Sequence, residues 1–172
     1  VFNAAVAQSV DVKSLTDPVD SVTFCLSKGL CAPVGSVLCG AEDFIRKARR
    51  IRKQLGGGTR QAGIIAAAGI VALETMIDRL ADDHENAKIL AKNLSENEKL
   101  RIDMNSPKTN MVYISLAPDV KENARDIEAK LRGNGVLVGV VAERQFRLVT
   151  HYWIDEQAIE ACVKQFSNVL SA

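Results

Sequence analysis

Twelve consecutive residues, Ala62 to Leu73, carry no polar side chain, and no other stretch restricts the fold so tightly. A helix that is apolar on every side has to be buried on most sides, in a large core or at a subunit interface. The run is only about two-thirds of the length that a membrane helix needs, so no membrane contact is expected. A chain of 172 residues can bury a sizeable core, as one domain or as a large part of a bigger one. The formal net charge of +1 gives no overall pull toward nucleic acid or an anionic membrane.

Four cysteines, Cys25, Cys31, Cys39 and Cys162, lie mostly in apolar runs without a CxxC pair. They read as free, reduced core residues of an intracellular, cytoplasmic protein. Two histidines, His84 and His151, are too few for a multi-histidine metal site, and no metal is expected. The run Asp82-Asp83-His84-Glu85 reads as a surface feature of a helix. The opening Val1-Phe2-Asn3-Ala4 resembles the middle of a fold, so the chain is expected to be the C-terminal part of a longer polypeptide.

Val22 to Leu26 is apolar and β-branched, as a buried strand is, and Gly35 to Leu38 reads as a second. Between them stands Ser27-Lys28-Gly29. Lysine is almost never fully buried unless it is paired. One reading puts Lys28 at a strand end facing solvent. In the other, desolvation lowers its pKa and frees the amine to attack a carbonyl and form a Schiff base.

A helix is expected to open at Gly40-Ala41-Glu42-Asp43, with acidic residues where the helix dipole favours them. Phe44, Ile45, Ala48, Ile51 and Leu55 make its apolar stripe. Arg46, Lys47, Arg49, Arg50, Arg52 and Lys53 fill the other faces, as a solvated face, a nucleic-acid patch or a site for a ligand phosphate or carboxylate. Nearby acidic residues and the lack of interleaved aromatics weaken the nucleic-acid reading. Gly56-Gly57-Gly58-Thr59-Arg60-Gln61 then ends this helix and starts another, running from Gln61 to about Leu80. The triplet is either a flexible joint or a loop in which backbone amides and Arg60 hold an anion. It is neither a Walker loop nor GxGxxG.

Arg79 to Leu94 continues as an amphipathic helix. Past residue 100, Thr109 to Leu116 reads as a strand and Lys121 to Arg132 as a helix. Val136 to Val141 and Gln145 to Thr150 read as a hairpin, and Asp155 caps a last helix. This β-α-β-β-α order predicts an antiparallel sheet with helices on one face. Alternation puts Arg147 with Gln145 and Val149 on one face and Phe146, Leu148 and Thr150 on the other. Its forked guanidinium suits either solvent or a carboxylate.

Six stretches carry a family resemblance: Cys25-Leu26-Ser27-Lys28-Gly29-Leu30, Ala32 to Ser36, Gly56 to Gly63 with Ala66 to Gly69, Asp83-His84 with Asn86-Ala87, Thr109-Asn110-Met111, and Arg147-Leu148-Val149-Thr150-His151. In order and spacing they resemble low-specificity L-threonine aldolases, pyridoxal-phosphate enzymes of the aspartate-aminotransferase fold type. The resemblance implies an α/β chain. Residues 1–85 would end a large mixed-sheet cofactor domain, and residues 86–172 would form a small α+β domain. It implies that Lys28 carries the Schiff base with pyridoxal 5'-phosphate and that Arg147 binds the substrate α-carboxylate. Arg60 and Lys53 would reach the cofactor phosphate of a neighbouring subunit in a homotetramer. The reaction implied is retro-aldol cleavage of L-threonine, L-allo-threonine and related β-hydroxy-α-amino acids to glycine and an aldehyde. His151 is expected to be structural. Thr59 stands where the family commonly has methionine.

Several family elements precede the position matched by Val1: an Asp-Gly-Ala-Arg motif, a histidine that stacks on the cofactor ring, and a glycine-threonine loop for the phosphate. Activity is therefore expected only together with an N-terminal half. The alternatives are another lyase or racemase of the same fold, or an inactive fragment with a role in assembly.

Overall fold

The computed structural model describes residues 1–105 and 107–171. The chain divides into two compact units, Val1–Leu80 and Ala81–Ala172. Among the described residues no helix is long and apolar enough to cross a membrane.

The first unit begins with two short helices, α1 (Phe2–Gln8) and α2 (Val12–Thr16). Strands β1 (Ser21–Cys25) and β2 (Ser36–Gly40) form an antiparallel ribbon, with Phe24 opposite Val37. Helices α3 (Glu42–Gln54) and α4 (Gly63–Thr75) follow. Leu26, Leu30, Ala32, Ala72 and Leu80 make the core, flanked by Phe2, Val6, Phe24, Val37, Leu73, Met76 and Ile77. The rings of Phe2 and Phe24 meet edge to face, 5.0 Å apart.

This core is smaller than the sequence suggests. β1 is half-exposed rather than buried: Phe24 packs toward the core with Phe2 and Val6, while Ser21, Thr23 and Cys25 face outward and are exposed. Cys25, Cys31 and Cys39 are exposed rather than core residues. Cys25 and Cys39 occupy exposed strand positions, and Cys31 sits in a turn with φ 59°. Helix α4 stops at Thr75, short of Leu80, and buries only Gly69 and Ala72. Ile64 is 81% exposed, Ile70 56% and Val71 57%. The apolar stripe of α3 likewise buries no residue. The described residues of the first unit do not supply the burial expected of both helices, because the ribbon and the two short helices offer too little apolar surface to cover them.

The second unit is more nearly self-sufficient. Helix α5 (Leu80–Ser95) leads to β3 (Leu100–Arg101), β4 (Met111–Leu116), α6 (Ala124–Gly133), β5 (Gly139–Ala142), β6 (Gln145–Val149) and α7 (Glu156–Ser171). The strands form one antiparallel sheet in the order β3-β4-β6-β5. Only one of its faces is covered. Val112, Ile114, Leu116, Phe146 and Leu148 point into a core shared with Ala87, Leu90, Ala91, Leu94, Ala124, Ile127, Leu131, Ile159, Phe166 and Val169 from α5, α6 and α7. Asn123 caps α6 through the amides of Arg125 and Asp126, and Asp155 accepts from Ala158 at the start of α7.

Two-residue β3 was too short to stand out in the sequence, and the strand predicted from Val136 begins only at Gly139. Val136 and Val138 instead pack as loop residues against the core. Asp83 and His84 are buried, not surface residues, because they share a helical face with Ala87, Leu90, Ala91 and Leu94. Burial lowers the His84 pKa, with Asp83 opposing and Lys88 reinforcing the shift.

Candidate functional site

Lys28 lies in the loop between β1 and β2, and its side chain is exposed, as in the solvent-facing reading. The loop around it is nevertheless well fixed. Leu26 donates its amide to Gly35 at 2.9 Å, Ala32 donates to Leu26 at 3.0 Å, and Cys31 donates to the Lys28 carbonyl at 2.9 Å. Leu26, Leu30 and Ala32 are buried, so three apolar anchors hold the turn while Lys28 projects from it. Gly29 permits a close approach: a β-carbon there would lie 2.9 Å from Leu80 Cδ2. The Lys28 amine forms no ion pair with another described residue.

Lys53 lies in the last turn of α3, whose C-terminal end favours cations. The glycine triplet that follows is a defined helix stop. Gly56 adopts φ +86° and donates to the Lys53 carbonyl at 3.2 Å, while Gly57 donates to Arg52 at 2.8 Å. This pair of bonds is a Schellman cap, which satisfies carbonyls left open at the helix end. Exposed Arg60 then lies just ahead of α4, next to Gln61, whose φ of 50° is uncommon for a residue with a side chain. Lys53 and Arg60 thus bracket one exposed loop in the first unit. Arg46 pairs with Asp43 on α3, but Arg49, Arg50, Arg52 and Lys53 have no acidic partner among the described residues.

Arg147 belongs to the second unit. β6 alternates as its sequence predicts, with Phe146 and Leu148 buried and Arg147 exposed on the open face. Its cross-strand neighbours are Tyr113 on β4 and Gly139 on β5. The guanidinium enters no ion pair among the described residues and is available to an anion.

His151 is exposed, and its Nδ1 faces the Trp153 amide at 3.4 Å. The rings of His151 and Trp153 meet edge to face at 5.9 Å. The sequence pointed to no role for Thr150 and Asn110, although both fall in motif stretches. Asn110 Nδ2 donates to the Thr150 carbonyl at 2.9 Å, and the Thr150 hydroxyl donates to the Asp83 carbonyl at 2.6 Å. The one signal was alternation, which put the Thr150 hydroxyl on the buried face, where it needs a partner. Among the described residues, no group of acidic, histidine or cysteine side chains could hold a metal ion.

A profile of the beta-eliminating lyase family matches residues 1–117. The chain belongs to the beta-eliminating lyase family. A probable low-specificity L-threonine aldolase from Arabidopsis thaliana is 42% identical over 169 residues, covering 98% of this chain and 48% of the relative. The fold is similar to that of a putative L-allo-threonine aldolase from Listeria monocytogenes, with TM-score 0.77 and 18% identity over 98% of this chain and 50% of the other. It is also similar to a PLP-dependent aminotransferase from Streptococcus suis, with TM-score 0.70 and 14% identity over 88% of this chain and 41% of the other. The α/β architecture is therefore that of pyridoxal-phosphate fold type I enzymes, over about half of their chains. This member of the beta-eliminating lyase family spans about half the length of the curated relatives it matches.

Proposed function

We propose that this chain contributes the Schiff-base lysine and the carboxylate-binding arginine of a pyridoxal-phosphate-dependent threonine aldolase. The observation that carries the reading is the lysine turn, in which buried Leu26, Leu30 and Ala32 hold a loop that presents an unpaired primary amine. Similarity to the Arabidopsis aldolase over 98% of the chain supports the substrate class.

The donor set fits pyridoxal 5'-phosphate: an accessible amine for its aldehyde, and the cations Arg60 and Lys53 for its phosphate. When bound, the cofactor supplies an electron sink that accepts the electron pair left at Cα as the Cα–Cβ bond breaks. Lys28 would hold the cofactor through its accessible amine. Arg147 binds the α-carboxylate through its forked donors and orients the substrate. Arg60 and Lys53 serve the phosphate of a neighbouring subunit, which requires at least a dimer, and the family resemblance implies a homotetramer. The products are glycine and an aldehyde, from L-threonine, L-allo-threonine and related β-hydroxy-α-amino acids.

The complete enzyme joins this chain to an N-terminal portion and acts in the cytoplasm. In it, residues 1–85 complete the cofactor domain and residues 86–172 form the small domain. The half-length match to the relatives supports the need for that portion.

The test is to add pyridoxal phosphate to the complete enzyme, reduce it with borohydride and map the modified peptide. Labelling at Lys28, lost in Lys28→Ala, together with acetaldehyde release from threonine, is the expected result. Labelling elsewhere would remove the lysine assignment. Ammonia release, or inversion of the amino acid without aldehyde, would instead favour another lyase or a racemase.

A further inference from the structure

We propose that Thr150 is a positioning residue for Arg147: with Asn110 it clamps the end of β6 and fixes how the guanidinium is presented on the open face of the sheet. The inference rests on the reading of Arg147 as the carboxylate-binding residue.

Arg147 lies midway between two anchors on the same strand segment, each three residues away. On one side, the Arg144 carbonyl accepts the Leu116 amide at 2.9 Å. The Arg144 guanidinium donates to the carbonyls of Ala117 at 2.6 Å and Val120 at 3.0 Å. On the other side, the β4–β6 ladder formally ends at Met111 opposite Val149. The next pair continues it by other means. Thr150 donates its amide to the Asn110 carbonyl at 3.0 Å, and Asn110 returns a bond from its side-chain amide to the Thr150 carbonyl at 2.9 Å. The side chain of Asn110 thus does what a backbone N–H would do in a regular ladder.

The Thr150 hydroxyl ties that end to a third element. It is fully buried and donates to the Asp83 carbonyl in the first turn of α5 at 2.6 Å, with the Asn110 carbonyl as a longer neighbour at 3.4 Å. β5, which flanks β6 on its other edge, gives weaker guidance. Its register shifts between Val140 and Ala142, close to the point where Gly139 faces Arg147. A sheet position beside such an irregularity needs fixing from elsewhere, since a binding side chain has to be held within about 0.5 Å of its working geometry. The Thr150 clamp supplies that fixing from the buried face, where it does not compete with a ligand for the open face.

The test compares Thr150→Val, which keeps the shape and loses the donor, with Thr150→Ser, which keeps the donor. Both are measured in the complete, cofactor-loaded enzyme beside Arg147→Ala, with thermal stability recorded for each. Thr150→Val is expected to raise KM for threonine about tenfold while kcat changes by less than about threefold. Thr150→Ser is expected to return KM to within about threefold of the parent. Asn110→Ala, which removes the second bond of the clamp, is expected to raise KM in the same way, and it decides the question if Thr150→Val does not fold. A raised KM in Arg147→Ala with an unchanged KM in the folded clamp variant, whatever its melting temperature, overturns this inference alone. An unchanged KM in Arg147→Ala overturns the carboxylate reading and this inference with it.

Discussion

The rings of Phe146 and Phe166 meet edge to face, with centroids 5.8 Å apart and planes at 86°. Both residues are fully buried, and Arg147 is the next residue in β6. One strand therefore anchors the core with one side chain and offers an unpaired cation with its neighbour. Truncating Phe166 to alanine is expected to destabilise the second unit by about 3–5 kcal/mol, the usual cost of removing a buried ring. Urea denaturation of the variant would show it as a lower midpoint, and Phe166→Leu should cost distinctly less.

Arg147→Lys keeps the charge and loses the fork. If Arg147 binds the substrate carboxylate as proposed, the variant of the complete enzyme is expected to raise KM for threonine roughly 10–100-fold, as fits loss of a charge-assisted hydrogen bond. Steady-state kinetics would check this. An unchanged KM would mean that the forked geometry is not what holds the carboxylate, and Arg147→Ala would then decide whether the charge does.

The glycine triplet is expected to respond unevenly to alanine. Gly56→Ala places a side chain at φ +86° and should cost about 1 kcal/mol or slightly more. Gly57→Ala would set a β-carbon 3.0 Å from the Arg52 carbonyl oxygen and disturb the same cap. At Gly58 the added carbon meets Lys53 Cγ at an ordinary 3.5 Å and should be tolerated. Thermal melts of the three variants, with amide exchange at Gly57, would separate a built cap from a loose joint.

Burial pushes the Cys162 thiol up to about 11. It should resist alkylation near neutral pH, while exposed Cys25, Cys31 and Cys39 react in this chain. Mass-spectrometric mapping after brief iodoacetamide treatment gives the order. The protonated thiol's contribution is fully present below its ordinary pKa near 9, and it is lost as the pH rises toward 11.

His84 behaves in the opposite sense. Burial lowers its pKa from 6.5, so the unfolded chain takes up its proton first. Its stabilising contribution is present above pH 6.5 and is lost as the pH falls below that value. Unfolding free energies between pH 7.5 and 5.5 should therefore drop more steeply, over roughly this range, in the parent than in His84→Gln.

Much of the second unit was legible because its signals are local. The spacing of Ala124, Ile127 and Leu131 marks the inner face of α6, and alternation through Phe146, Arg147 and Leu148 assigns both faces of β6. The first unit was less legible. The same apolar periodicity that marks α3 and α4 as helices says nothing about whether this chain carries the surface that would cover them. Ile64 and Leu55, more than 80% exposed, are where that difference shows.

The sequence by itself determined the order of the longer helices and strands, though not the two-residue β3, together with the placement of Arg147 on the outer face of its strand and the family to which the chain belongs. These follow from short-range chemistry, in side-chain periodicity, turn residues and motif spacing. Only the tertiary structure decided that Lys28 projects from a turn held by three buried neighbours, that the glycine triplet is a helix cap, and that Asp83 and His84 lie inside. It also joined Asp83, Asn110 and Thr150, which are up to 67 positions apart in sequence, through a buried hydroxyl and a side-chain amide. Such contacts depend on which elements pack together, and burial then requires each polar group to find a partner that no local pattern specifies.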